Sequence, residues 1–290
     1  MSGTGRKRGE ILQLISGLKR HGFRPRLFSS RENLARFLER PGQREQTACI
    51  VAAGGDGTVS DVVNRFPGLP VAMLPLGTEN LIARYLQLPR GGRALANVIA
   101  AGRKRRLDAC VLNGRRFLIM AGFGFDADVV RRTHARRRGP ITKLSYVRPL
   151  CESLWQYGHP ELRFWIDDEE LPVRAGLAIL VNLPVYALGL RVADSAVPDD
   201  GLLDVRLFQR CSAFQMLRYF YKVKRGRHES LPDVFSLRVR SLRIESAGPV
   251  PVQVDGDPAG WTPATVEVLP AHWEIFVPHD RGVTHVRNVD

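Results

Sequence analysis

The sequence predicts an α/β N-terminal domain, a parallel sheet with helices on both faces, followed by a region of antiparallel β structure. Three observations predict it. Up to about residue 106, short apolar runs alternate with amphipathic helical stretches, the pattern of strand–helix–strand units. Beyond that point helical periodicity gives way to short strands parted by turn residues. Two neighbouring apolar runs in the first part also end in glycine–threonine turns that open directly into helices.

In chain order, residues 9–20 place Ile11, Leu12, Ile15 and Leu18 at helical spacing. Residues 24–30, RPRLFSS, read as a short strand. Ser30 is a plausible N-cap for the helix SRENLARFLER. ACIVAA is a buried strand and VSDVVNRF a helix. LPVAMLPLG is a second buried strand and ENLIARYLQL a second helix. Residues 92–101 form one more. From residue 107, RLDACVLNGRRFLIMAGFG reads as strand, Asn-Gly turn, strand. A basic helical stretch is expected over 126–157. Strands are expected near 161–166, 172–183, 203–209, 235–245, 250–255 and 264–277, interrupted by the helix SAFQMLRYFYKVKRG. The expected domains are 1–106 and 107–290, with the last residues returning to the first domain.

Composition narrows the class. With 44% hydrophobic and 25% charged residues the chain is globular rather than disordered. Four scattered cysteines, with no CxxC pair, argue against a zinc site or a disulfide framework and for a reducing cytosol. The opening residues lack a signal peptide's apolar core. The run AGLAILVNLPVYALGL is too short, and too interrupted by Asn182 and Pro184, to span a bilayer. A formal net charge of +14 points to an anionic partner: nucleotide, nucleic acid or acidic membrane. No DNA- or RNA-binding motif is present, so nucleic acid is the weakest of the three.

The glycines of GGDGT, residues 54–58, sit where a strand must turn into a helix. Glycine tolerates unusual backbone angles and lets a ligand approach the main chain. Amides exposed there, with the positive end of the following helix, suit phosphate. The P-loop lysine and the GxGxxG spacing of dinucleotide folds are both absent. An aspartate in such a loop calls for a positive neighbour, and Mg²⁺ carried by a nucleotide supplies one. PLGTEN, residues 75–80, repeats the device one strand later. Two adjacent strand ends of this kind make one crevice at the carboxyl edge of the sheet, the usual ligand position in open α/β sheets.

GGDGT followed by PLGT-x-N-x-x-A resembles the diacylglycerol-kinase catalytic-domain family, which includes bacterial lipid kinases and the sphingosine and ceramide kinases. Similar segments continue in order: GFGFDADVV (122–130), GPITKLSYV (139–147), VPDDGLLDVRLF (197–208) and VQVDGDP (252–258). The resemblance implies an ATP-dependent lipid kinase acting on a lipid such as diacylglycerol or a sphingoid base. It implies an NAD-kinase/diacylglycerol-kinase-like α/β domain for ATP, a C-terminal antiparallel β-sandwich for the lipid, and reaction in the cleft between them. By motif position, Ser30, Gly54, Gly55, Asp56, Gly57, Thr58, Val59, Ser60, Asp61, Gly77, Thr78 and Asn80 would form the ATP site. A structural Mg²⁺ would map to Asp200 with the carbonyls of Val197 and Leu202, although Asp199-Asp200-Gly201 also reads as a hairpin turn.

Asp257 would be the general base, with Asp56 its rival. Asp126 and Asp128 could line the cleft, or simply open a surface helix. Two departures stand out. The family's Asp-Gly-Glu is here Asp255-Gly256-Asp257, and the family's first strand, ending in Asn-Pro-x-Ser-Gly, is missing before Gly3. Alternatives are an NAD-kinase-like enzyme and a pseudokinase that binds nucleotide or lipid without turnover. The basic clusters at 103–106, 131–138 and 218–228 are expected to favour peripheral contact with an anionic membrane, and a homodimer is left open.

Overall fold

A computed structural model of the chain describes residues 3–137, 139, 143–158, 160–186, 190–210 and 212–279. The chain divides into two compact units. One runs up to Arg105 and takes back the stretch from Glu274; the other is Arg106–Trp273.

The first unit opens with helix α1 (Gly3–Arg20), then α2 (Arg31–Leu38) and the single turn α3 (Gln43–Gln46). Strand β1 (Ile50–Gly54) leads into α4 (Asp56–Arg65), and β2 (Val71–Pro75) into α5 (Leu81–Tyr85) and α6 (Gly92–Ala101). β1 and β2 pair in parallel from Ile50↔Val71 to Gly54↔Pro75, so their carboxyl ends lie side by side. Val71, Ala72, Met73 and Leu74 are all buried. A strand buried on both faces needs cover on both: α4 packs on β1 and β2, and α6 on β2. Leu14 and Leu18 of α1 join Leu95 and Ile99 of α6 over Ala72 and Leu74.

The expected strand at 24–30 is absent. Residues 23–28 are extended, but no strand lies alongside them among the described residues, and β1 pairs only with β2. Without a ladder the extended run stays irregular. Ser30 does cap α2, accepting the Asn33 amide at 3.3 Å.

The second unit is a β-sandwich. Its strands begin with β3 (Lys104–Leu112), whose first residues belong to the other unit, β4 (Arg115–Phe117) and β5 (Met120–Gly124). Asn113 and Gly114 close the β3–β4 hairpin with φ of 47° and 84°, as a two-residue type I′ turn requires. Helix α7 (Phe125–Ala135) and helix α8 (Val147–Gln156) follow. Then come β6 (Leu162–Ile166), β7 (Glu169–Glu170), β8 (Leu177–Val181), β9 (Leu203–Phe208), α9 (Ala213–Lys224), β10 (Val234–Val239), β11 (Ser241–Ser246), β12 (Pro251–Val254), β13 (Asp257–Trp261) and β14 (Ala264–Phe276). One sheet runs β10-β9-β8-β5-β12-β13, antiparallel throughout. Facing it, β14 pairs with β11, β11 with β6 and β6 with β7, while β3 pairs with β14 and β4. The core between the sheets holds Phe117, Phe123, Phe164, Leu180, Leu207 and Ile244, all buried. The last residues of β14 return to the first unit, where Ile275 pairs in parallel with Val71.

Three more expected elements differ. The helix of 126–157 is broken into α7, a 3₁₀ turn at Lys143–Tyr146 and α8; part of the GPITKLSYV motif lies outside the described residues. The strand of 172–183 shortens to β8, with Ala175 forming only a bridge to Leu162. The strand of 235–245 is two strands parted at Arg240, because β10 pairs with β9 in one sheet while β11 pairs with β6 and β14 in the other. A hydrophobic pattern carries no sign of which sheet a strand joins. The short β7 and β13 are not among the expected strands; β13 completes the hairpin that begins at β12.

Candidate active site

The two glycine turns of the first unit interlock. The Leu76 amide donates to the Gly54 carbonyl at 2.9 Å, continuing the β1–β2 ladder into the loops. Gly55 and Gly77 then pass so closely that a Cβ on Gly77 would lie 2.5 Å from the Gly55 Cα. No side chain larger than hydrogen fits there without moving a backbone. Asn80, in the left-handed region at φ 48°, closes the second turn. Its Oδ1 accepts the Gly77 amide at 3.0 Å and its Nδ2 donates to the Gly77 carbonyl at 2.9 Å.

Asp56 locks the turns to each other. It is the first residue of α4, and its carboxylate accepts the amides of Leu81 and Ile82, each at 2.9 Å, at the start of α5. Burial pushes its carboxyl above the usual range, against the opposing pull of those two amides. Both oxygens are therefore committed to the neighbouring loop. The helix α4 begins after Gly55 with no side-chain cap; the Thr58 amide turns back to the Gly55 carbonyl at 3.0 Å, and the positive end of the helix lies at this turn.

The other residues carried over from the motif divide by location. Thr58 lies directly beneath Gly54, where a Cβ would come 2.1 Å from its Oγ1. Val59 is fully buried, and its amide donates to the Gly55 carbonyl at 3.4 Å. Asp61 faces away into ion pairs with Arg31 (2.7 Å) and Arg65 (2.9 Å). Ser30 spends its hydroxyl on the α2 cap and on Glu32. Thr78 lines a cavity of about 680 Å³ on the PLGTEN side, together with Gly77 and Asn80. Lys7, Arg84 and Arg90 line it too. Arg84 follows PLGT-x-N-x-x-A directly, but Lys7 and Arg90 lie outside the motifs; Lys7 comes from α1, far away in the chain.

The second unit presents the Asp255-Gly256-Asp257 turn. Asp255 accepts three consecutive amides, from Leu118 (3.0 Å), Ile119 (2.9 Å) and Met120 (3.1 Å). Asp255 and Gly256 have φ of 49° and 84° and form the β12–β13 turn. Asp257 then projects outward, its side chain about half exposed, with Arg115 Nη2 at 3.2 Å and His134 Nε2 at 3.7 Å. His134 also meets the Gly256 carbonyl at 3.1 Å.

A buried brace underlies the turn. The Gln253 side chain accepts the Gly256 amide at 2.9 Å and donates to Asp126 at 2.8 Å, and Tyr186 donates to the other Asp126 oxygen. Burial raises the Asp126 carboxyl, offset in part by those two donors. The brace explains Gly122 of GFGFDADVV: a Cβ there would strike Asp126 Oδ2 at 2.2 Å. Asp128 is buried, held by Arg131 and Arg132 at 2.6 Å and Ser153 at 2.8 Å. Asp128 is closed to solvent, whereas Asp126 is partly exposed.

At Asp200, the carboxylate carried over as a Mg²⁺ ligand has protein partners on both oxygens. One carboxylate oxygen accepts the Leu202 amide at 3.0 Å and the other pairs with the Arg238 guanidinium, which also reaches Asp204 at 3.2 Å. The positive charge at this turn is thus an arginine, where a Mg²⁺ would need several oxygen donors in octahedral array. Among the described residues no group of three or more His, Cys, Asp and Glu side chains could hold a metal ion.

Comparison with known proteins decides the family. The family model described as the diacylglycerol kinase catalytic domain matches residues 1–112, and that described as the YegS C-terminal NAD kinase beta sandwich-like domain matches residues 120–277. The chain belongs to the diacylglycerol kinase family. It is 30% identical over 253 residues to a diacylglycerol kinase of Mycobacterium tuberculosis, covering 84% of this chain and 81% of that one. With a diacylglycerol kinase of Staphylococcus saprophyticus the identity is 28% over 236 residues, 80% and 77% of the two chains. The structure of a diacylglycerol kinase from Bacillus anthracis superposes with a TM-score of 0.67 at 16% identity, covering 94% of this chain and 92% of the other, which shows a shared fold. The family is one of lipid kinases, phosphotransferases that use ATP and generally a divalent metal.

Proposed function

We propose that this protein is an ATP-dependent lipid kinase that transfers the γ-phosphoryl group to a hydroxyl of a lipid such as diacylglycerol. The observation that carries the reading is the interlocked pair of glycine turns, in which Asp56 and the Gly55–Gly77 approach hold two strand ends as one rigid cradle. Phosphoryl transfer asks chiefly for positioning and electrostatic stabilisation. The uncapped start of α4 turns the positive end of that helix toward phosphate oxygens. Lys7 and Arg90 line the adjoining cavity and supply positive charge, while Arg84 there pairs with Glu79 at 3.7 Å. Mg²⁺ enters with the nucleotide, as part of the substrate.

Asp257 is the proposed base. Its carboxylate takes the proton of the acceptor hydroxyl, whose oxygen bonds to the γ-phosphorus as the bond to the ADP oxygen breaks. Support comes from its exposure, against the full engagement of Asp56 with Leu81 and Ile82. Asp255, pinned by three amides, and Gln253, bonded to Gly256, keep the turn from relaxing. Having aspartate where the family has glutamate shortens the reach by one methylene. A lipid acceptor also calls for peripheral contact with an anionic membrane, which the net charge of +14 supports.

Transfer of radiolabelled phosphate from ATP to a panel of lipids, diacylglycerols and sphingoid bases included, tests the reading. One or more lipids should be labelled, and Asp257→Asn should lower turnover by about 10²–10⁴-fold with ATP affinity nearly intact. ATP binding with no labelled lipid would favour the pseudokinase alternative. Full turnover in Asp257→Asn would remove this residue from the chemistry.

A further inference from the structure

The helix α9 carries two apolar faces. Met216, Tyr219 and Val223 are buried, with Tyr219 against Phe208 at 4.9 Å between ring centroids. That face belongs to the core. Phe214, Leu217, Phe220 and Tyr221 recur at i, i+3, i+6 and i+7 on another side and are exposed, Phe214 by 73%. A soluble helix ordinarily shows charged or polar residues there. Helix α8 packs beside α9, and it too exposes large apolar groups: Trp155 by 85%, and Leu144 in the preceding 3₁₀ turn by 82%.

Along α9 the charge has one sign. From residue 210 to 227 the chain has Arg210, Arg218, Lys222, Lys224, Arg225 and Arg227 and no acidic residue. Arg210 and Arg218 turn toward Asp233, and Arg225 lies 5.0 Å above the Tyr221 ring. Exposed aromatic and leucine side chains at helical spacing, with lysine and arginine alongside, match the interface of an anionic bilayer. There the apolar groups enter the acyl boundary and the cations meet lipid phosphates. A second copy of this chain is a poorer occupant, since it would bring the same basic residues and a net charge of +14 against its equal.

We propose that the outer faces of α8 and α9 form the surface by which this protein docks on anionic membranes, with Trp155, Phe214, Leu217 and Phe220 inserting and Lys222 and Lys224 pairing with headgroups. The inference deepens the lipid-kinase reading, but its test needs no turnover. The full-length protein is mixed with vesicles of phosphatidylcholine, with and without phosphatidylglycerol, in the absence of ATP. The wild type should sediment with the phosphatidylglycerol vesicles and less so as salt rises. The triple variant Phe214→Ser/Leu217→Ser/Phe220→Ser, with an unchanged thermal midpoint, should partition at least ten-fold more weakly, as should Lys222→Glu/Lys224→Glu.

Brominated acyl chains should quench tryptophan fluorescence in the wild type and markedly less in Trp155→Phe, a single exposed substitution that stands even where the triple variant does not fold. Unchanged partition in both multiple variants, or equal quenching in Trp155→Phe, overturns the proposal. So does a dimer of the wild type that the triple variant abolishes without loss of vesicle binding. Failure of the kinase reading looks different: vesicle binding persists while no lipid is ever phosphorylated.

Discussion

Asp56→Asn separates the two roles open to the aspartate of the glycine loop. In the folded protein each carboxylate oxygen accepts one amide of α5, Leu81 and Ile82, at 2.9 Å. Asparagine keeps one acceptor and turns an NH₂ toward the other N–H. A hydrogen bond to a charged group is worth about 1.5–3 kcal/mol, and an unsatisfied buried donor costs about 1–3 kcal/mol more. Relief from burying a charge offsets part of the loss, since burial already works against the ionised form. The net is a destabilisation of about 2 kcal/mol, or a fall in thermal midpoint of roughly 4–8 °C. ATP affinity should fall as well, because Gly55 and Gly77 are no longer held in register. Thermal unfolding followed by circular dichroism, with ATP titration by calorimetry, reads both quantities. An unchanged midpoint and unchanged ATP affinity, together with lost turnover, would refute the reasoning and make Asp56 the base.

Gly77→Ala should be more damaging than an alanine substitution in a loop usually is, because its Cβ meets the Gly55 backbone at 2.5 Å; loss of ATP binding in a folded variant is the expected titration result. Asp255→Ala strands three amides that now share one carboxylate, so a loss of about 3–5 kcal/mol is expected, read as a lowered midpoint together with lost turnover. Burial raises the Asp128 carboxyl, but its bonds to Arg131, Arg132 and Ser153 outweigh this and hold it below the ordinary range. Its stabilisation is therefore present above the unfolded pKa of about 3.9 and lost as pH falls through the lower folded value. Asp128→Asn should cost about 2–3 kcal/mol at neutral pH, somewhat below a fully buried pair because Arg131 is partly exposed. It should also flatten the acid limb of the stability curve measured by denaturant titration.

Several features were legible in the sequence because they depend on local pattern. Buried strands show as apolar runs, so β1, β2, β8 and β9 were placed near their true positions. Glycine at a strand-to-helix turn marks a backbone constraint, and two such turns one strand apart announced the crevice. Asn113-Gly114 names its own turn type. The order of GGDGT, PLGTEN, GFGFD and DGD also pointed to the family that the comparisons then showed.

Tertiary structure decided what each motif residue does, because that depends on partners distant in the chain. Asp56 and Asp257 are both acids beside glycine. One spends its oxygens on Leu81 and Ile82, while the other remains half exposed beside Arg115 and His134. Asp255 precedes Asp257 by two residues yet is pinned by amides some 135 positions earlier. Asp200 reads as a cation ligand from its motif, but Arg238, from β10, stands at its carboxylate. The break at Arg240 arises because one strand finishes in one sheet and the next begins in the other. Periodicity along a chain reports whether a residue is buried; which atom meets it there is a property of the fold.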